Sequence, residues 1–487
     1  MSTRIIRRLI LKFHQSNQRC IFMTSRHQKN SPYRTRTAGE KGTKIAGSSS
    51  MSQMAASKHE NTTSIHQQMV DRQVLYPAQF KGAGDDRIQQ VNKINEGKMV
   101  EIIWKDGKRS KFHSIWLRNN CHCPCCKIDV SGQPTVDLTE IPLDELHITD
   151  IDHTEENVLK VVWKDGDKTH QGYLPSSYLK TYCYSDGEME RKSNAARMNF
   201  TTDTKIPEIE YKEVMGTQKG LYQWLRILGD RGLCMIRNVP TEQDYLLKVA
   251  RLVGLPQHTI YGNTFNVIDM PHASNAAYRS IALKLHMDQP TYESPPGIQL
   301  LHCLRFDDKI VGGDSVFADI HHIVDVFRQE HPDEFKTLCR VPVTYETLGY
   351  EDAAGRELPV HLQIRRHVIH LNNYGHVVAI AYHESVNGPL QVDEGDVEPF
   401  YKAFQMLVQA VHTWPYKYGV RLQPGDMMTF QNRRVLHGRA AYVSNGGKRH
   451  LHGTYINIDE FRSMLIYLQN TVGDGSPIKR MGLLDMY

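Results

Sequence analysis

The segment Leu285-His286-Met287-Asp288 closes a short apolar stretch, and residues of matching chemistry recur far downstream at His437 and Arg449. In an extended chain, side chains two residues apart point to the same side, so His286 and Asp288 can occupy adjacent corners of one metal ion. A second histidine from a distant strand, His437, would complete a set of two imidazoles and one carboxylate. This facial set is typical of non-haem iron(II) oxygenases and leaves three positions open.

Two other His-x-Asp/Glu matches lack this context. The match at His331 lies in a run with helical periodicity, where side chains two residues apart diverge by roughly 200°. The match at His153 lies in a polar, turn-like stretch without an apolar strand to hold it. Only His286 precedes a turn and an apolar segment, Pro295–Leu301, which predicts a buried strand. A hydrogen-bonded surface histidine is the alternative for His286 taken alone.

The region around His437 strengthens the metal hypothesis. Met427–Phe430 follows a Pro-Gly-Asp turn and predicts a strand, and His437 is expected between this strand and the next. Arg449 follows Asn445-Gly446-Gly447, a hairpin-type turn, so a returning strand can bring its guanidinium beside the metal. A planar guanidinium binds a carboxylate through two parallel hydrogen bonds, which suits the distal carboxylate of 2-oxoglutarate. A solvated surface charge is the alternative for Arg449 considered by itself.

The basic character of the chain is concentrated at its start. The first 39 residues contain nine Lys and Arg and no Asp or Glu, and removing their charge from the total of +5 leaves the rest at −4. The remainder therefore has no basic face that indicates nucleic-acid binding. No apolar run approaches the ~20 residues that a membrane span needs. The leader favours a mitochondrial transit peptide, with a cytoplasmic protein carrying a disordered basic tail as the alternative.

Four of the nine cysteines crowd into one segment: Cys121, Cys123, Cys125 and Cys126. Clustering of this kind favours a reducing compartment and a metal site over a disulfide framework. The Cys-x-Cys-x-x-Cys spacing of Cys121, Cys123 and Cys126 can present three thiolates to a tetrahedral zinc ion. Asp167 and His170 are the candidates for the fourth ligand, and His170 is the better one by chemistry. Buried thiols without a metal are the alternative.

The remaining pattern predicts a mainly β protein with flanking helices. Val100–Gly107 and Leu159–Gly166 each run into an Asp-Gly turn and predict two hairpins. Apolar residues at helical spacing predict a helix around Leu221–Leu228, followed by a strand at Gly232–Ile236. Thr241 is expected to cap the next helix, which runs to Val253. Many short strands then follow, which predicts a double-stranded β-helix, or jelly roll.

These observations divide the chain into five expected parts. They are a disordered leader with a possible transit peptide (1–90), an N-terminal zinc-binding β domain (91–185), a linker (186–205), an oxygenase domain with the double-stranded β-helix (206–473) and a C-terminal tail (474–487).

Several longer motifs carry a family resemblance that spans Lys98–Gln469. They are Trp116-Leu117-Arg118-x-Asn120-Cys121-x-Cys123-x-x-Cys126, His286-x-Asp288, Pro295-Pro296-Gly297-x-Gln299-Leu300-Leu301-His302-Cys303, Gly312-Gly313-Asp314-Ser315, and Leu436-His437-Gly438-Arg439 through Arg449-His450-Leu451. The chain resembles the gamma-butyrobetaine/trimethyllysine dioxygenase family of Fe(II)/2-oxoglutarate oxygenases.

The resemblance implies a set of site residues. His286, Asp288 and His437 would bind iron(II), Arg449 would bind 2-oxoglutarate, and ascorbate would keep the iron reduced. The substrate would be a small quaternary ammonium ion, which ring faces hold best. The implied substrate-binding residues are Tyr261, Phe265, Asn275, Tyr278 and Tyr455. The family also implies zinc in the N-terminal domain, usually a homodimer, and neither nucleic acid nor membrane as a partner.

The sequence departs from the family pattern at three positions. Phe265 stands where tryptophan is usual, which weakens cation binding because tryptophan has the strongest quadrupole. His383 stands where gamma-butyrobetaine enzymes tend to carry asparagine. Asp167 occupies the position of the expected zinc-binding histidine, with His170 three residues later.

The resulting hypothesis is hydroxylation of gamma-butyrobetaine to L-carnitine, with 2-oxoglutarate converted to succinate and carbon dioxide. Hydroxylation of trimethyllysine is the alternative within the same pathway, and the basic leader favours it. An inactive zinc-binding adaptor is the alternative from another class of protein.

Overall fold

The computed structural model describes residues 85–128, 133–155, 157–185, 187–193, 199–201, 205–268, 280–349 and 359–473. All of the described residues belong to one compact unit. Within these residues, no helix combines the length and the apolar character needed to cross a bilayer.

The strands of the described residues are numbered in chain order. They are β1 (Ile88–Ile94), β2 (Met99–Trp104), β3 (Arg109–His113), β4 (His147–Asp152), β5 (Val158–Asp165), β6 (Lys168–Pro175), β7 (Glu208–Glu210), β8 (Leu233–Arg237), β9 (Phe265–Ile268), β10 (Leu283–His286), β11 (Ile298–Phe306), β12 (Val311–Gly312), β13 (Ser315–Asp319), β14 (Pro342–Gly349), β15 (Val360–His367), β16 (Ile369–Leu371), β17 (Val377–Ile380), β18 (Tyr418–Val420), β19 (Met427–Gln431), β20 (Val435–Arg439), β21 (Tyr442–Val443) and β22 (Arg449–Ile456).

The α-helices are numbered in the same way. They are α1 (Ser114–Asn119), α2 (Ser176–Thr181), α3 (Glu188–Ser193), α4 (Tyr211–Gly216), α5 (Gln218–Arg231), α6 (Asp244–Ala250), α7 (Ile320–Glu330), α8 (Pro332–Arg340), α9 (Glu394–Thr413) and α10 (Ile458–Thr471). Short 3-10 helices span Asn95–Gly97, Leu138–Glu140 and Glu384–Val386.

Two three-stranded antiparallel sheets, β1-β2-β3 and β4-β5-β6, form the N-terminal part of the described chain. The hairpins predicted from the Asp-Gly turns are present, and Gly107 (φ +81°) and Gly166 (φ +64°) adopt the left-handed conformation that these turns need. One apolar cluster serves both sheets and includes the fully buried Trp104 and Trp163. The sheets therefore share one core.

Two larger sheets follow in the C-terminal part of the described chain, in the orders β7-β8-β19-β11-β22-β9 and β10-β20-β13-β18. Successive side chains of β11 point to opposite faces of its sheet and pack into two different apolar clusters. Leu301 packs in the cluster that contains Phe317 of β13, whereas Leu300 packs in the cluster that includes α5, α6 and α10. A third cluster joins α7, α8 and α9 to residues of β10 and β20. The predicted double-sheet jelly roll with flanking helices is confirmed.

Helix α5 illustrates how the sequence pattern produces the packing. Leu221, Trp224, Leu225 and Leu228 lie on one stripe of the helix and are all buried. The indole Nε1 of Trp224 donates to Thr429 Oγ1 at 3.0 Å, so the buried polar atom of this large side chain is satisfied. The predicted helix and the following strand β8 are both present.

Three local predictions were wrong. Thr241 does not cap a helix, because α6 begins at Asp244 after a turn and ends at Ala250. The helical run that contains His331 is two helices, since Pro332 has no amide N–H with which to continue α7 and starts α8 instead. His437 lies inside strand β20 rather than between strands.

The turn before Arg449 also differs from the prediction. Asn445–Gly447 does not close a hairpin, because β21 pairs with β12 whereas β22 pairs with β11 and β9. The turn instead carries the chain from one sheet to another. In the expected linker, residues 188–193 form helix α3, and Phe200 is buried in the core between the two large sheets.

Candidate functional site

Strands β10 and β20 bring the three predicted metal ligands together. His286 lies opposite His437 in the antiparallel register, and their rings are 4.3 Å apart between centroids. Asp288 Oδ1 is 3.2 Å from His286 Nε2, and Asp288 Oδ2 is 3.6 Å from His437 Nε2. With metal–ligand bonds of about 2.1 Å, adjacent ligands of an octahedral ion lie about 3.0 Å apart. The three donors therefore fit a single ion.

Backbone contacts orient these ligands. His286 Nδ1 donates to the carbonyl of Lys284 at 2.8 Å, which leaves the lone pair of Nε2 free for a metal. The buried side chain of Asn432 accepts from the backbone N–H of Asp288 at 2.7 Å and donates to its carbonyl at 2.9 Å. Asn432 was not among the predicted site residues, although a fully buried asparagine after a strand requires partners of this kind.

The electrostatics of the group match the needs of a metal. Burial alone would raise the pKa of Asp288, but the neighbouring His437 and His286 hold it below its ordinary value. Burial, together with His286, lowers the pKa of His437 to about 3. Neutral imidazoles and an ionised carboxylate are the protonation states in which these side chains bind metals.

Arg449 is a buried cation at the start of β22. It is 4% exposed, its guanidinium lies 5.3 Å from the ring centroid of Phe306, and its Nε has no hydrogen-bond partner in the described part of the chain. Burial and the nearby Arg439 lower the pKa of Arg449 to about 10, so it is charged at neutral pH. Because a buried charge without a counter-charge is costly, the arrangement indicates an anion site.

Three of the predicted substrate-binding aromatics lie together. Phe265 stacks on Tyr455 with 5.1 Å between ring centroids, and Tyr261 is 6.1 Å from Phe265. Phe265 lies opposite Gly453 in the β9–β22 register, and a Cβ on Gly453 would be 2.2 Å from the Phe265 ring. The Phe265 ring occupies this position only because residue 453 is glycine, which sequence analysis did not identify.

The other predicted substrate residues, Asn275 and Tyr278, lie outside the described residues. His383 lies beside the three-ligand group, with its ring 4.7 Å from that of His286. Its Nδ1 accepts from the backbone N–H of Ser385 at 3.2 Å, and burial with His286 nearby lowers its pKa to about 3. The residue that departs from the family pattern is thus next to the predicted iron ligands.

A second cluster of metal-binding side chains lies in the N-terminal part. His170 Nε2 is 3.5 Å from Cys121 Sγ, 3.6 Å from Cys123 Sγ and 3.5 Å from Cys126 Sγ. Zinc bonds of about 2.3 Å to sulfur and 2.0 Å to nitrogen at a tetrahedral angle place these atoms about 3.5 Å apart. Asp167 is exposed and does not belong to this group of four.

The tight packing around the thiols is set by neighbouring residues. A Cβ on Gly172 would be 2.1 Å from Cys121 Sγ, so this position requires glycine. Arg118 Nη1 donates to Cys126 Sγ at 3.4 Å, and its Nε pairs with Asp165 at 3.0 Å. Cys125 is exposed and lies apart from the group.

Two known protein families match the chain. Residues 196–455 match the taurine catabolism dioxygenase TauD, TfdA family, and residues 91–179 match the N-terminal domain described as gamma-butyrobetaine hydroxylase-like. The chain belongs to the TauD/TfdA family and is an iron(II)- and 2-oxoglutarate-dependent dioxygenase.

Individual relatives cover most of the chain. It is similar to gamma-butyrobetaine dioxygenase of Pseudomonas sp. (strain AK-1), at 30% identity over 76% of this chain and 94% of the relative. The human gamma-butyrobetaine dioxygenase is 27% identical over 80% of this chain and 99% of its own length. The mitochondrial trimethyllysine dioxygenase of Bos taurus is 26% identical over 72% of this chain and 81% of its own length.

Proposed function

We propose that the protein hydroxylates gamma-butyrobetaine to L-carnitine and converts 2-oxoglutarate to succinate and carbon dioxide. The observation that carries this proposal is the group of His286, Asp288 and His437 beside the stacked rings of Phe265 and Tyr455. When bound, iron(II) with 2-oxoglutarate and dioxygen supplies the oxidising power needed to hydroxylate an unactivated carbon.

Different residues bind the metal and the co-substrate. His286, Asp288 and His437 hold iron(II) through two Nε2 atoms and one carboxylate. Arg449 binds the distal carboxylate of 2-oxoglutarate, because its buried guanidinium is charged and its Nε has no hydrogen-bond partner among the described residues. Ascorbate keeps the metal reduced between turnovers.

The aromatic group selects the substrate. A trimethylammonium ion cannot exchange hydrogen bonds, so ring faces are its best protein partners. Phe265, Tyr455 and Tyr261 supply these faces, and Tyr278 and Asn275 remain predicted members of the same site. Holding the charged end fixes which carbon faces the metal, so the position of hydroxylation follows from geometry rather than from intrinsic reactivity.

The N-terminal cluster has a structural role. Cys121, Cys123, Cys126 and His170 hold zinc in a closed site without an open position for substrate. We further propose that the enzyme is a homodimer and that the basic leader directs it to mitochondria. Fusion of residues 1–39 to a fluorescent protein tests the second point, and a diffuse cytoplasmic signal would contradict it.

Trimethyllysine hydroxylation is the second candidate. The mitochondrial relatives that act on this substrate, together with the basic leader, favour it. Trimethyllysine carries an α-ammonium group in addition to the carboxylate and the quaternary nitrogen. Discrimination between the two substrates therefore depends on the contacts made by the carboxylate end of the substrate, which lies away from the aromatic rings.

The decisive experiment loads the full chain anaerobically with iron(II) and 2-oxoglutarate and then adds oxygen with one substrate at a time. We expect hydroxylated product and succinate in equal amounts with gamma-butyrobetaine, and at least about tenfold lower kcat/KM with trimethyllysine. A His437→Ala variant is the matched control. Exclusive turnover of trimethyllysine would transfer the assignment to the second candidate, and unchanged succinate formation by the control would contradict both.

A further inference from the structure

Tyr455 connects two parts of the active site. Its ring stacks on Phe265 at an interplanar angle of 27°, and its hydroxyl donates to Asp288 Oδ2 at 2.7 Å. A single rigid phenol is therefore both a wall of the aromatic group and a hydrogen-bond partner of a proposed iron ligand.

The position of this hydroxyl is fixed by its surroundings. Tyr455 is 2% exposed, and it lies opposite Gln299 in the register of β22 with β11. Its carbonyl accepts from the backbone N–H of Gln257 at 2.8 Å. Strand pairing on one side and the Phe265 ring on the other leave the phenol little freedom to move.

The bond acts on the freedom of the Asp288 carboxylate. Asn432 fixes the backbone of Asp288, because its two hydrogen bonds to this residue go to the backbone N–H and carbonyl. Rotation of the carboxylate would change the oxygen that faces His286, which now has Oδ1 at 3.2 Å. Among the residues described, Tyr455 is the uncharged hydrogen-bond donor that holds Oδ2 in place.

We propose that Tyr455 is a positioning residue for the metal centre, an inference that rests on the proposed function. Its hydroxyl holds the Asp288 carboxylate in the orientation that a metal between His286 and His437 requires, while its ring face receives the quaternary ammonium group. Metal binding and substrate recognition thus share one side chain, and the two roles can be separated by removing a single oxygen atom.

Tyr455→Phe removes the hydroxyl and keeps the ring. Mn(II) is the probe, added to the zinc-replete full chain and followed by the paramagnetic resonance of the free ion. We expect about tenfold or weaker Mn(II) binding, as for other hydrogen bonds to metal ligands, while the KM for gamma-butyrobetaine changes less than about threefold. The thermal midpoint reports whether the variant is folded.

Tyr261→Phe is the matched control. It removes a hydroxyl from the same aromatic group, and this hydroxyl is not bonded to Asp288. Its Mn(II) affinity is expected to stay within about twofold of the parent. Tyr455→Leu removes ring and hydroxyl together, and it should weaken Mn(II) binding by the same factor as Tyr455→Phe.

Unchanged or tighter Mn(II) binding by Tyr455→Phe and Tyr455→Leu would overturn the inference and leave the proposed function intact. Equal Mn(II) binding by the parent and by His437→Ala would instead contradict the proposed metal centre itself.

Discussion

The two candidate metal centres of this chain are built for opposite purposes. The N-terminal cluster offers four donors, and three nearly equal distances of 3.5–3.6 Å join its thiols to His170. The cluster of His286, Asp288 and His437 offers only three donors, and the buried Arg449 has an Nε without a partner in the described residues. A closed set saturates its ion and stabilises a fold, whereas an open set leaves positions for reactants.

The contrast extends to the structural elements that carry each centre. The three cysteines lie within one short segment after α1, and His170 comes from the adjacent strand β6. The proposed iron ligands come from β10, from Asp288 two residues after the end of this strand, and from the distant β20. Loss of a ligand should therefore unfold the first region but disable the second without unfolding it.

The largest expected effect is on turnover. His286→Ala removes one of the three proposed iron ligands, and we expect succinate formation to fall by about 10³-fold or more. The thermal midpoint should change little, because the two large sheets retain their cores. A variant that retains a tenth of the parent activity would contradict the assignment of His286 as a ligand.

The corresponding experiment on the N-terminal cluster removes one of its proposed zinc ligands. Burial raises the pKa of Cys121 to about 12, so without a metal this thiol stays protonated among its neighbours. Cys121→Ala should abolish zinc binding and unfold the N-terminal part, lowering its stability by several kcal/mol. Zinc content by mass spectrometry and limited proteolysis of residues 91–185 measure the effect. Cys125→Ala is the control, and zinc loss there would contradict the ligand set.

Co-substrate binding gives a smaller effect. Arg449→Lys keeps the charge but loses the planar fork, and the lost charge-assisted hydrogen bond of about 1.5–3 kcal/mol should raise the KM for 2-oxoglutarate roughly 10- to 150-fold. The KM for gamma-butyrobetaine should stay nearly constant. A rise in the KM for gamma-butyrobetaine alone would show that Arg449 contacts the substrate rather than 2-oxoglutarate.

Gly453→Ala tests the aromatic group without touching an aromatic residue. The new methyl group would displace the Phe265 ring, and the loss of cation–π attraction of about 1–2 kcal/mol should raise the KM for gamma-butyrobetaine roughly 5- to 30-fold. Mn(II) affinity should be unaffected. Unchanged KM would show that Phe265 does not contact the substrate.

The last prediction concerns a histidine that belongs to neither centre. His302 is fully buried, and burial with His452 nearby lowers its pKa from 6.5 to about 4. The neutral ring is thus favoured in the folded state, so its contribution to stability is present above pH 6.5 and is lost as the pH falls toward 4. When the pH is lowered over this range, the free energy of unfolding should therefore fall less in His302→Gln than in the parent, and the difference should be at most roughly 3 kcal/mol. Parallel urea titrations at pH 7 and 4.5 measure the difference, and identical losses would contradict it.

The sequence alone determined the local features of both sites. The His286-x-Asp288 spacing places neighbouring donors on one side of an extended chain, because side-chain direction follows from backbone periodicity. The Cys121-x-Cys123 spacing brings thiols close together in one segment, and the Asp-Gly turns specify their hairpins. Motifs at this level also carried the family resemblance. The hairpin predicted at Asn445–Gly447 was wrong because the strands on either side of this turn pair with other strands.

Only the tertiary structure decided the contacts between distant strands. It brought His170 rather than Asp167 to the thiols, placed Asn432 on the backbone of Asp288, and joined Tyr455 to the carboxylate of the same residue. It also showed that Gly453 makes room for Phe265. These contacts depend on sheet order and register, which packing of the whole core fixes and which no local stretch of sequence encodes.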